Sequence, residues 1–128
     1  MNPPRDRLEI TLHPVPQSAG IARTFVTHHL VSRGLEKHAE DAALIATELV
    51  TNAVREAPHT PVRLFLTVEE TGRLLIEVWD ASPDPPVPQR PGPYAASGRG
   101  LLITRALSSE VGYHLVGNGK VVWSRLPG

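Results

Sequence analysis

Glu48 and Asn52 stand four residues apart in ELVTNAVREA, a stretch of helical character. Asparagine is an unfavourable helix-interior residue because its side chain competes for nearby backbone groups. With Glu48 at zero and about 100° per residue, Asp41, Asn52 and Arg55 fall within about 40° of it. Ala42, Ala46, Leu49, Val50, Ala53 and Ala57 take the opposite arc. Residues at i and i+4 have Cβ atoms roughly 5–6 Å apart. A carboxylate so placed can accept a proton from a reacting hydroxyl while the neighbouring amide oxygen faces a metal ion. Periodicity alone favours the plainer alternative, a solvated helix face that includes an asparagine.

Two further stretches carry chemistry. In RLLIEVWD, residues 73–80, Leu74, Ile76, Val78 and Asp80 share one face of a strand, so a carboxylate ends an apolar row. That placement is costly unless the group has a partner or sits at an open edge. A fixed carboxylate there can accept a hydrogen bond from an exocyclic amine; a strand end followed by a turn at Ala81-Ser82-Pro83 is the alternative. In SGRGL, residues 97–101, Gly98 and Gly100 fall where a loop meets a helix, and a helix start offers unpaired N–H groups to an anion. The Gly-Lys-Ser/Thr phosphate loop, the dinucleotide GxGxxG pattern and the Gly-x-Ser-x-Gly elbow are all missing. His28 and His29, as helical neighbours, point about 100° apart and make poor co-ligands.

These residues need a scaffold, and the chain is long enough to supply one. Its 128 residues suit a single domain, 1–128, and 41% apolar with 20% charged residues is the composition of a soluble globular protein. Thirteen basic residues balance thirteen acidic ones, which gives no net field for nucleic acid or an anionic membrane. With no cysteine, disulfides and thiolate chemistry are excluded, and a cytoplasmic location is expected. No apolar run approaches the ~20 residues that span a bilayer, and the N-terminus lacks the apolar core of a signal peptide.

Alternation and punctuation predict a strand over 8–13, a helix over 18–33 capped by Ser18 and stopped by Gly34, and a helix over 38–57. Strands follow over 61–68 and 73–80. A loop over 81–98 holds six of the thirteen prolines, a length expected of functional or disordered segments. A third helix over 99–109 and two strands, EVGYHLV and KVVWSRL, joined at Gly117-Asn118-Gly119, complete the order. Helices on one face of a sheet, in a two-layer sandwich, fit that order.

ELVTNAV, VWDASPDPPVP and SGRGLLITRAL, in that sequence, resemble the N, G1 and G2 boxes of the GHKL ATPase superfamily. The chain is most similar to the small stand-alone anti-sigma-factor serine/threonine kinases of actinomycetes, and the likeness extends to the ending GKVVWSRLP. The resemblance implies an α+β class, the Bergerat ATP-binding fold, with a mixed, mostly antiparallel sheet and about three helices on one face. It implies ATP and Mg²⁺ as cofactors, Glu48 as general base, Asn52 as the Mg²⁺ ligand and Asp80 as reader of the adenine amine. Arg55 and Ser82 would lie at the nucleotide, residues 82–97 would form a lid, and Gly98, Arg99, Gly100 and Leu101 would present backbone to the phosphates. The implied function is phosphorylation of an anti-sigma-factor antagonist, with a sigma factor as second partner and a homodimer as assembly. A non-catalytic, ATP-dependent binding switch of the same fold is the alternative. The sequence departs from the superfamily's Asp-x-Gly-x-Gly at Ala81-Ser82-Pro83-Asp84, carries Glu56 where relatives often have histidine, and Val121 where threonine is common.

Overall fold

The computed structural model describes residues 7–85, 104 and 106–127. In chain order the elements are β1 (Arg7–Leu12), α1 (Ser18–Ser32), a 3-10 turn (Glu36–His38), α2 (Ala39–Glu56), β2 (Val62–Val68), β3 (Leu74–Asp80), β4 (Glu110–Val116) and β5 (Gly119–Arg125). Every expected strand and both long helices are present within a residue or two of the bounds read from the sequence. The expected third helix lies largely outside the described residues, of which Thr104, Ala106 and Leu107 are helical.

The five strands form one sheet in the order β1-β2-β3-β5-β4. All four pairings are antiparallel, so the mixed component implied by the resemblance is absent among the described strands. Helix α2 lies over β2, β3 and β5, and α1 packs along α2. The alternating rows that face the helices are Val62, Leu64, Leu66 on β2 and Leu74, Ile76, Val78 on β3, all buried. Against them pack Ala22, Val26 and Leu30 of α1 and Ala42, Ile45, Ala46, Leu49, Val50 and Ala53 of α2. Burying each large aliphatic side chain contributes on the order of 2 kcal/mol, which makes this layer the main support of the fold. The alanines let α2 sit close to the strands it covers.

The local signals differ from the sequence reading at one point and are refined at another. Ser18 does not cap α1: the N-cap is Gln17, and the Ser18 hydroxyl, inside the first turn, donates to the His13 carbonyl at 2.6 Å. The β4–β5 hairpin forms at Gly117-Asn118-Gly119 as expected, with Gly117 and Asn118 as the central turn residues. Gly117 has φ of 61°, no non-glycine residue among those described has positive φ, and Gly119 already pairs with Val116. A positive φ at the first central residue alone is the pattern of a type II′ hairpin. Helix α1 ends as expected, with the Leu35 N–H on the Leu30 carbonyl at 2.8 Å and the Gly34 N–H on Val31 at 3.1 Å.

On the opposite sheet face, Phe65 is covered by two guanidinium groups, those of Arg7 at 4.3 Å and Arg63 at 5.2 Å from its ring centre. Trp123 is flanked by Arg125 at 5.7 Å. Arginine stems thus shield the apolar side chains that no helix covers.

Candidate nucleotide site

Helix α2 delivers the first group of site residues. Asn52 is buried, at 8% exposure, while Glu48 and Arg55 are half-buried and Asp41 is exposed. The solvated-face alternative therefore fails at Asn52. Its side-chain amide is claimed by no hydrogen bond from another described residue. Partial burial pushes the Glu48 carboxyl above its ordinary 4.5, and the charge of Arg55 pulls it partly back. Burial penalises the ionised form and so makes Glu48 a stronger base. Arg55, seven residues on, is thus electrostatically coupled to Glu48, as the helical spacing requires.

The second group forms at the end of β3. Asp80 is 1% exposed, and its Oδ1 accepts the Ser82 N–H at 2.8 Å, the local bond that turns the chain out of the strand. Ser82 is tied into the same turn, its hydroxyl accepting the Asp84 N–H at 3.3 Å. Directly across the sheet, Lys120 of β5 pairs with Asp80 in register. Lys120 is completely buried. Its Nζ lies 3.1 Å from Asp80 Oδ1, 3.3 Å from the Ser82 carbonyl and 2.5 Å from Glu56 Oε2 in the last turn of α2. The Glu56 contact is an ion pair rather than a well-directed hydrogen bond, since Oε2 meets no donor at hydrogen-bonding angles.

Gly119 makes this approach of β5 possible. A Cβ at that position would stand 2.0 Å from the Asp80 carbonyl oxygen, a backbone atom that cannot move aside. Burying an ammonium costs several kcal/mol even after relaxation, comparable to what two buried leucines return. The cluster is therefore a poor device for stability alone.

Lys120 and Glu56 were missed as site residues in the sequence, although a signal existed. Alternation in KVVWSRL puts Lys120 on the row of Val122 and Ser124, which faces the helices, opposite a row that ends in Asp80. The structure brings together Glu48, Asn52 and Arg55 along α2, and Asp80 and Ser82 at the end of β3. Glu56 and Lys120 join the two groups. Gly98, Arg99, Gly100 and Leu101, and the segment from Pro86 to Ser97 of the expected lid, lie outside the described residues.

An antiparallel sheet covered on one face by helices, with an asparagine-bearing helix beside a strand ending in a buried aspartate, is the frame of an α+β nucleotide-binding domain. Residues 13–126 match the family model described as the histidine kinase-like ATPase domain, and the chain belongs to that family. ATP binding comes with membership of this class. Among solved structures, the RsbU and RsbW domains of a Mycobacterium tuberculosis protein match with a TM-score of 0.72 and 20% identity, over 96% of this chain and 32% of that one. The histidine kinase domain of a blue-light-activated kinase from Erythrobacter litoralis matches with a TM-score of 0.56 and 19% identity, over 88% and 60%. At these identities the likeness is one of fold, and this chain spans about a third of the first relative's length and 60% of the second's. No curated protein sequence matches. Among the described residues, no helix is long and apolar enough to cross a membrane.

Proposed function

We propose that this chain is a regulatory serine/threonine protein kinase of the anti-sigma-factor type, which uses ATP to phosphorylate an anti-sigma-factor antagonist. The observation that carries the reading is on α2: a glutamate made more basic by burial, one turn from a buried asparagine whose amide is unclaimed within the described protein. Glu48 would accept the proton of the antagonist's serine or threonine hydroxyl as it attacks the γ-phosphorus. Asn52 fits Mg²⁺ through its amide oxygen, because this ion is commonly held by one or two protein oxygens together with substrate phosphates. When bound, the ion neutralises phosphate charge. Asp80 would accept a hydrogen bond from the base, and Arg55 would moderate the basicity of Glu48. The backbone of Gly98–Leu101 and a lid over 82–97 are the proposed phosphate contacts and cover. A sigma factor is the proposed second partner.

Transfer of the γ-phosphate from ATP to a purified antagonist tests this reading. Glu48→Ala is expected to lose about 10²–10⁴-fold in transfer rate with Mg-ATP binding retained. Undiminished transfer would remove Glu48 from the mechanism. Retained binding with no phosphorylated product in the wild-type chain would instead establish the non-catalytic switch.

A further inference from the structure

We infer that Lys120 sets the base selectivity of this site: it holds Asp80 as a fixed carboxylate acceptor, and so favours a nucleotide whose base bears an exocyclic amine over one bearing a carbonyl. The inference rests on the nucleotide-binding reading above and adds a positioning residue to it.

Three features carry it. First, both hydrogen bonds that Asp80 accepts from described residues, from Lys120 Nζ and the Ser82 N–H, fall on Oδ1. Among the described residues none donates to Oδ2, so the described contacts set the orientation of the carboxylate through one oxygen. Second, Lys120 has no freedom of its own. It is fully buried and held at once by Asp80, the Ser82 carbonyl and Glu56. The close approach at Gly119 further restricts movement of β5 against β3. Third, one ammonium serves two carboxylates, Asp80 and Glu56, so the cluster keeps an excess of negative charge. A base that presents an N–H to this end of the pocket is attracted. A base that presents a carbonyl oxygen places two acceptors face to face, leaving both unpaired in a desolvated setting.

The consequence is separable from fold stability. A lysine that merely supported the fold would, on removal, weaken all nucleotides alike. A lysine that positions Asp80 would, on removal, weaken the amino-bearing base alone. The test is titration calorimetry on the full chain with Mg-ATP and Mg-inosine triphosphate, which share the ribose and phosphates and differ at the base edge, an amine against a carbonyl at C6 with N1 correspondingly an acceptor or an N–H. The double variant Lys120→Met with Glu56→Gln removes one positive and one negative side chain together, so the formal charge of the cluster is unchanged.

The wild-type chain is expected to prefer ATP. In the double variant that preference should fall by about ten- to a hundredfold, the scale of one charge-assisted hydrogen bond, with inosine triphosphate affinity changing less than about twofold. Equal losses for both nucleotides, or an unchanged preference, would overturn the inference. Because the wild-type ratio is itself diagnostic, a variant that fails to fold does not protect the claim: equal wild-type affinities overturn it and leave nucleotide binding standing. Wild-type protein that binds neither nucleotide overturns the underlying reading as well.

Discussion

On α2 the side chains of Glu48 and Asn52 take no hydrogen bond from the other described residues, whereas at the joined ends of β3 and β5 the polar groups bond to one another. Asn52 is buried with its amide unclaimed by the described residues, and the Glu48 carboxyl, raised by burial, is partly drawn back by the charge of Arg55. Asp80, Lys120, Ser82 and Glu56 form a linked set with contacts from 2.5 to 3.3 Å. In one half the side chains of Glu48 and Asn52 are unengaged by the other described residues, as the proposed metal and hydroxyl contacts require. The other is pre-organised before any ligand arrives. The difference follows from the elements: groups one turn apart on a helix can be left open to a ligand, but a charge buried between strands must find its counter-charge within the fold.

The contrast can be broken most severely at Gly119. Gly119→Ala would drive a Cβ against the Asp80 carbonyl, and overpacking against backbone costs about 3 kcal/mol. The melting temperature should fall by roughly 10 °C or somewhat more, read by differential scanning calorimetry. Mg-ATP should bind more weakly, because the strand end that carries Asp80 must shift. An unchanged melting temperature would show that β5 is not held closely against β3.

A smaller effect sharpens the helix half. A base acts in its deprotonated form, so transfer at saturating ATP should rise with pH through the Glu48 titration, whose midpoint burial places above the ordinary 4.5. Arg55 opposes that rise, so Arg55→Met should move the acid limb of the profile further up in pH, whereas a shift downward would contradict the coupling. The smallest effect is a control for buried against exposed charge. Arg63 and Glu9 form an ion pair on exposed strand surface, and Glu9→Gln should cost at most about 1 kcal/mol in urea-induced unfolding. A larger loss would mean that exposed pairs, not only buried ones, matter here.

Local patterns made the helix half legible in the sequence. Glu48, Asn52 and Arg55 are related by spacing within one element, and the apolar arc opposite them predicts which side packs. The strand rows of β2 and β3 were legible for the same reason. The cluster at Asp80 was not, because Lys120 lies 40 residues away along the chain. Its pairing depends on a register that the alternation in KVVWSRL restricts but does not choose. Glu56 was harder still, since its contact depends on where the last turn of α2 meets the sheet. Ser18 shows the limit of local signals: serine at a helix start admits a second arrangement, and here its hydroxyl bonds the His13 carbonyl instead of capping the helix.

The most direct test of the two-part site is calorimetric titration of Mg-ATP into the wild-type chain and into Asp80→Asn and Asn52→Ala, one variant from each half. Saturable one-to-one binding is predicted for the wild type. Asp80→Asn should weaken it by about tenfold or more through the lost carboxylate acceptor. Asn52→Ala should weaken Mg-ATP while leaving metal-free ATP nearly unaffected. The account is contradicted if the wild type shows no saturable binding, or if both variants bind Mg-ATP as the wild type does.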